Sequence, residues 1–241
     1  VVSYDNDTGD FLWAQAFGSA QNEEASDIVV AADGAHCITG SYGGSFSFGG
    51  TALSVNGGSD VFVVCFDSNG AHAWSKGIGS GEFDEGKRLA MSADGRLLVT
   101  GTFQDSINFG SGTGTLTAEG SNTIDDVFLV SYNVATGQAQ WSRRLGGTQD
   151  DSPEALYVDD VAGSVVLIGA YQGTVDFGDA QRTSAGASDV YMIEYAIANG
   201  TSGVSHSFGN TGTDRGLGIS GIAGQVIAFT GSFESTLTID G

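Results

Sequence analysis

Four carboxylates occupy one recurring position in the sequence: Glu23, Asp84, Asp151 and Asp214, each five residues after a glycine (Gly18, Gly79, Gly146 and Gly209). Acids that repeat at one structural position can converge, and converging carboxylate oxygens suit a hard cation such as Ca2+, which takes several oxygen ligands. Asp and Glu at a loop-to-strand junction can instead cap backbone N–H groups, a commoner use of such residues. The run Asp5-Asn6-Asp7-Thr8-Gly9-Asp10 adds Asp5 and Asp7 as candidate calcium ligands, although it lacks the distal bidentate Glu of an EF-hand loop. Glu24, Glu85 and Asp150 add charge beside the first column without a constant spacing, and Asp60, Asp126 and Asp189 form another column that reads as turn residues.

Other chemistry is poorly provided for. His36, His72 and His206 fall at unrelated spacings and match no zinc or triad pattern. No serine sits in a Gly-x-Ser-x-Gly elbow. The expectation is a non-enzyme that requires no cofactor, with Ca2+ as the one ion its carboxylates would suit.

The elements that must position these acids are strands. Ile28-Val29-Val30-Ala31 runs through Asp33-Gly34 into His36-Cys37-Ile38-Thr39, two β-rich runs joined at a turn dipeptide. No stretch of useful length carries a helical period. The pattern then repeats. Thr39-Gly40-Ser41-Tyr42, Thr100-Gly101-Thr102-Phe103, Ile168-Gly169-Ala170-Tyr171 and Thr230-Gly231-Ser232-Phe233 share one form, with glycines 61, 68 and 62 residues apart. Asp60-Val61-Phe62, Asp126-Val127-Phe128 and Asp189-Val190-Tyr191 each open an apolar run. Trp13, Trp74 and Trp141 each follow a turn glycine by four residues (Gly9, Gly70 and Gly137). Four copies, approximately 1–60, 61–126, 127–189 and 190–241, account for the chain. Each would form a four-stranded antiparallel sheet that cannot bury both faces alone, as in one blade of a β-propeller.

These columns resemble the bacterial-type β-propeller repeats related to the NHL and seven-bladed repeat families. The resemblance covers all four copies and implies an all-β, single-domain propeller; it says little about activity, since propellers host many functions. It places the first strand of the first blade near Ala25 and its last near Ile78. The final copy then supplies two strands, which Val1 to Tyr4 and Phe11 to Phe17 would complete to close a four-bladed ring; the alternative is part of a larger propeller. Asp5-x-x-Thr8-Gly9-x-x-x-Trp13 and Asn133-x-x-Thr136-Gly137-x-x-x-Trp141 also resemble the tryptophan-docking pattern of quinoprotein propellers, which implies indoles packed between blades. The boxes of sialidases are not matched.

Composition bounds the partners. A formal charge of −21, with no Lys or Arg before Lys76, excludes a nucleic-acid binder and an anionic lipid surface. No apolar run approaches the roughly 20 residues of a membrane helix. The chain begins at Val1 inside an apolar run, which reads as a piece excised from a longer chain. Two glycosylation sequons, at Asn6 and Asn199, fall at equivalent turns and with the acidic surface point outside the cell. Cys37 aligns with Leu98, Val166 and Ala228, whereas Cys65 aligns with Ser3, Ser131 and Glu194, so two independent thiols are expected. The function expected is a structural or protein-interaction module of a surface protein, filament or appendage, with self-assembly or a protein partner. A carbohydrate-binding propeller is the first alternative and a fragment of a propeller enzyme the second.

Overall fold

The repeated strand pattern forms repeated sheets. A computed structural model describes residues 1–235, and every regular element in them is a strand. β1 (Val2–Tyr4) and β2 (Phe11–Ala14) make a first hairpin. β3 (Glu23–Val30), β4 (His36–Tyr42), β5 (Asp60–Phe66) and β6 (His72–Ile78) form a four-stranded antiparallel sheet in chain order. In the second sheet, β7 (Glu85–Met91) and β8 (Arg96–Phe103) precede a small hairpin of β9 (Ser106–Asn108) and β10 (Thr115–Thr117). β11 (Asp126–Asn133) and β12 (Ala139–Leu145) then complete that sheet. The third sheet repeats this plan: β13 (Ser152–Asp159), β14 (Ser164–Tyr171), the excursion of β15 (Thr174–Asp176) and β16 (Gln181–Thr183), then β17 (Asp189–Ala196) and β18 (Ser202–Phe208). β19 (Arg215–Ile222) and β20 (Val226–Ser232) make a last hairpin.

The sheets stack face to face in chain order. Cys37, Val61 and Val63 of the first sheet share a core with Leu97, Val99 and Val130 of the second. On the other face of that second sheet, Leu98, Val127 and Leu129 pack against Leu167, Tyr191 and Ile193 of the third. Because neighbours cover both faces, the middle strands lose the usual apolar–polar alternation. β5 is buried at all seven residues and β14 at all eight. Each such Val, Leu or Phe contributes about 1.5–3 kcal/mol of burial. Successive sheets come closest at their first strands, β3 beside β7, β7 beside β13 and β13 beside β19. The terminal hairpins cap the stack, with Val1 and Phe17 against the first sheet and Phe229 against the third.

The Thr-Gly-x-aromatic column has a packing cause. Each first strand carries a bulge at the same place, at Ala25/Asp27, Gly86/Arg88, Pro153/Ala155 and Gly216/Gly218. The bulge presses a first-strand carbonyl (Glu24, Glu85, Ser152 or Arg215) onto Gly40, Gly101, Gly169 or Gly231, where any Cβ would overlap it. These four glycines lie within strands rather than in turns. In the first excursion, Phe46 bridges to Leu53 and both are buried with Phe48.

The expected two-plus-two closure does not form among the described residues. β1–β2 and β19–β20 are separate two-stranded sheets. β1 has three residues where β5 has seven, so its edge offers fewer than half of the backbone groups that β4 receives from β5. Val2, Tyr4, Leu217 and Val226 stay exposed on these hairpins.

Candidate functional site

The column of Glu23, Asp84, Asp151 and Asp214 sits where one sheet hands over to the next, just ahead of each first strand or at its opening residue. The backbone N–H of Asp84 donates to Ser59 at 2.8 Å, that of Asp151 to Asp125 at 2.8 Å and that of Asp214 to Ser188 at 2.9 Å. Each bond ties a new sheet to the third strand of the one before. The side chains act on the backbone as well. Asp84 accepts N–H bonds from Ser80 (2.7 Å) and Gln104 (3.2 Å), Asp151 from Gly147 (2.9 Å) and Gln172 (3.0 Å), and Asp214 from Asn210 (3.0 Å) and Glu234 (2.8 Å). Glu23 binds only the preceding loop, at Ser19 (2.9 Å). The four acids expected to converge on a cation thus brace four separate loops. Among the described residues, no group of three or more His, Cys, Asp or Glu is placed to hold a metal ion.

Asp5 and Asp7 behave similarly. Asp5 accepts the N–H groups of Asp7 and Thr8 and the Thr8 hydroxyl, and at the equivalent turn Asn133, which carries no charge, accepts the same two groups of Thr136. A neutral side chain in the same role shows that the turn cap itself needs no charge. The sequon residues Asn6 and Asn199 are both exposed.

Asp60, Asp126 and Asp189 depart from the turn reading. Each opens a third strand and is almost wholly buried. One oxygen accepts an N–H, from Asn56 (3.0 Å), Glu119 (2.9 Å) or Ala185 (3.1 Å), while Oδ1 has no hydrogen-bond partner. Each lies against the glycine five residues ahead of a first-column acid: a Cβ on Gly79 or Gly146 would overlap the Asp60 or Asp126 carboxylate. A Cβ on Gly209 would lie 2.6 Å from Asp189 Oδ1 and 2.8 Å from Asp214 Oδ2. Burial pushes Asp60 up to about 6, partly offset by the Asn56 N–H and then by the neighbouring Tyr42 hydroxyl. Burial also pushes Asp84 to about 7 against its N–H donors, with the Asp60 charge adding to the rise, and Asp151 to about 7, with Asp126 adding. Asp126 and Asp189 are raised, again by burial first. Among the described residues, only the middle pair has a cation in contact, Arg144, whose guanidinium lies 2.7 Å from Asp126 and 3.1 Å from Glu119.

The tryptophans tie sheet to sheet. The Trp13 ring lies against Gly70, that of Trp74 against Gly137 and that of Trp141 against Gly200. Trp74 Nε1 donates to Val134 O at 2.7 Å and Trp141 Nε1 to Ile197 O at 2.8 Å. Gly200 has φ +67° and a Cβ there would sit 2.5 Å from the Trp141 ring, so the turn needs glycine for both its conformation and its space. The indoles spend their area between sheets rather than on a carbohydrate-facing surface.

Cys37 and Cys65 form a disulfide, which corrects the expectation of two thiols. They stand directly opposite on β4 and β5 with Cα atoms 4.1 Å apart. Opposed residues of paired strands share a face, so differing column preferences do not keep their sulfurs apart. The histidines are dispersed: His36 stacks on Trp13 and Phe66, His72 contacts the Ser75 hydroxyl at 3.0 Å and His206 stacks on Phe208.

One grouping was not foreseen. A polar cavity of about 330 Å3 runs across the first strands, lined by Glu24, Glu85, Lys87, Arg88, Glu154 and Arg215 among others. Lys87 pairs with Glu85 at 3.0 Å, Arg88 Nε donates to Glu154 O at 2.6 Å, and Arg215 pairs with the Glu154 carboxylate. Three of the eight basic residues meet there. In the sequence Glu24 and Glu85 read only as charge beside the acid column; their basic partners come together through stacking of the sheets.

No protein-family model matches the chain. Regulatory protein FlaEY of Caulobacter vibrioides is 26% identical over 171 residues, covering 71% of this chain and 16% of that protein. The chain therefore corresponds to less than a fifth of that relative's length.

Proposed function

We propose that the chain is a run of β-propeller blades serving as a non-catalytic, extracellular structural or protein-interaction module. The observation that carries this reading is the fate of the recurring polar residues. At each junction the carboxylate column is consumed in bracing the backbone, so the repeats build a rigid support whose excursions and turns are free for contact. The convergence of first strands and the face-to-face stack support the propeller arrangement. The disulfide, the exposed sequon turns and the acidic surface support an oxidising, extracytoplasmic setting. Calcium would bridge carboxylates between subunits. Immunogold electron microscopy of producing cells tests the proposal: label on the outer surface or on appendages is expected, and label confined to the cytoplasm would overturn it.

A further inference from the structure

The three buried carboxyl pairs at the sheet junctions are not equivalent. In the middle pair, Asp126 and Asp151, Arg144 reaches Asp126 from the fourth strand, and the residue opposite Asp126 on β8 is Phe103. The first sheet has Gly77 at the position of Arg144 and Tyr42 at that of Phe103; the third has Ser207 and Tyr171. The Tyr42 hydroxyl occupies the space a side chain on Gly77 would need and donates to Ser54 O at 2.9 Å, while the Tyr171 hydroxyl lies 2.7 Å from the Ser207 hydroxyl. The outer pairs therefore have a tyrosine hydroxyl where the middle pair has a guanidinium.

Two adjacent buried carboxylates without a counter-charge are costly, and an oxygen with no donor adds to that cost. Both oxygens of Asp84 and of Asp214 already accept backbone N–H groups. Asp60 and Asp189 each accept one such bond and keep Oδ1 bare. We propose that Asp60 and Asp189 each take up a proton on the bare Oδ1 in mildly acidic medium, which removes their repulsion with Asp84 and Asp214, and that Arg144 supplies the matching charge at the middle junction. No electron transfer or bond breakage is involved; the proton comes from solvent and returns to it. The charged and titratable groups around the first pair are Tyr42 and the two acids themselves. Around the third are Tyr171, Arg182 acting on that tyrosine, and Glu234, whose carboxylate accepts the Thr213 N–H. Asp150, Asp125 and Glu119 surround the middle pair beside Arg144. The two outer junctions become proton-linked clasps that weaken as the pH rises toward neutrality.

Carboxyl 13C titration of the intact wild-type chain tests this without a variant. The Asp60 midpoint should move from the ordinary 3.8 to about 6; a midpoint at 3.8 would overturn the proposal. Thermal unfolding of D60N, D189N and D126N in EDTA at pH 5 and pH 8 adds a second readout. The amide mimics the protonated acid, so D60N and D189N should match wild type at pH 5 and melt higher than it at pH 8. D126N strands Arg144 and should melt lower at both. If D60N and D189N melt lower than wild type at pH 5, no proton is held there. If calcium restores wild type at pH 8 but not D60N, a cation rather than a proton fills the site and the proposal fails.

Discussion

Trp141→Ala tests whether the indoles join one sheet to the next. The Trp141 side chain is 5% exposed, covers Gly200 and gives its N–H to Ile197 O at 2.8 Å. Its removal leaves a ring-sized void between the second and third sheets and an unpaired carbonyl. Truncating a buried Trp costs roughly 3–5 kcal/mol, and the lost hydrogen bond is contained in that range. For a chain of this size each kcal/mol moves the melting temperature by about 2–4 °C, so a fall of about 6–20 °C is expected. Trp13 provides the control. It is only half-buried, and its Nε1 has no partner, so Trp13→Ala should cost about 1–2 kcal/mol. Trp74, half-buried but hydrogen-bonded to Val134, should fall between. Far-ultraviolet circular dichroism during urea and thermal unfolding gives the three values without relying on tryptophan fluorescence. Equal losses at Trp13 and Trp141 would refute the reasoning, because burial and the hydrogen bond would then not set the cost.

Reduction of Cys37–Cys65, which are 28 residues apart, should lower stability by about 3–4 kcal/mol from the entropy of the opened loop, measured by urea unfolding with and without reductant. Arg144→Met leaves the wholly buried Asp126 without its cation and should cost about 3 kcal/mol, the lower end for a broken buried pair because Arg144 keeps partial access to water. Stability should fall as pH rises from 4 to 8. Asp60, Asp84 and Asp151 have folded values raised above 3.8, so the folded chain binds more protons across that window and loses the advantage as each deprotonates near 6 to 7; melting temperatures across the range check the sign. Calorimetric titration with calcium should give the same heat for wild type and Asp151→Asn, because Asp151 already accepts two N–H groups; a heat lost in the variant would restore a cation role.

The recurrence of the sheets was legible in the sequence because it depends on local types at fixed columns: the Trp four residues after its turn glycine, the Asp-Val-aromatic strand start, the Thr-Gly step. The strand phase that the propeller resemblance implied, from near Ala25 to near Ile78, is close to that observed, with β3 beginning at Glu23 and β6 ending at Ile78. What depends on contacts between copies was not legible. Asp60 looks like a turn residue until the next sheet brings Asp84 against it. Gly40 looks like a strand-end glycine until the β3 bulge crowds it. Cys37 and Cys65 looked mismatched because columns report the average environment of a position, whereas pairing register decides which side chains touch. Lys87, Arg88, Glu154 and Arg215 share no spacing and meet only through stacking of the first strands.

Electron microscopy of the purified chain at high concentration, with and without calcium, is the most direct measurement of the propeller reading and its role in assembly. Class averages should show sheets fanned about a common axis and joined into filaments or larger particles. Discrete monomers under both conditions, or sheets in a linear stack with no common axis, would contradict it.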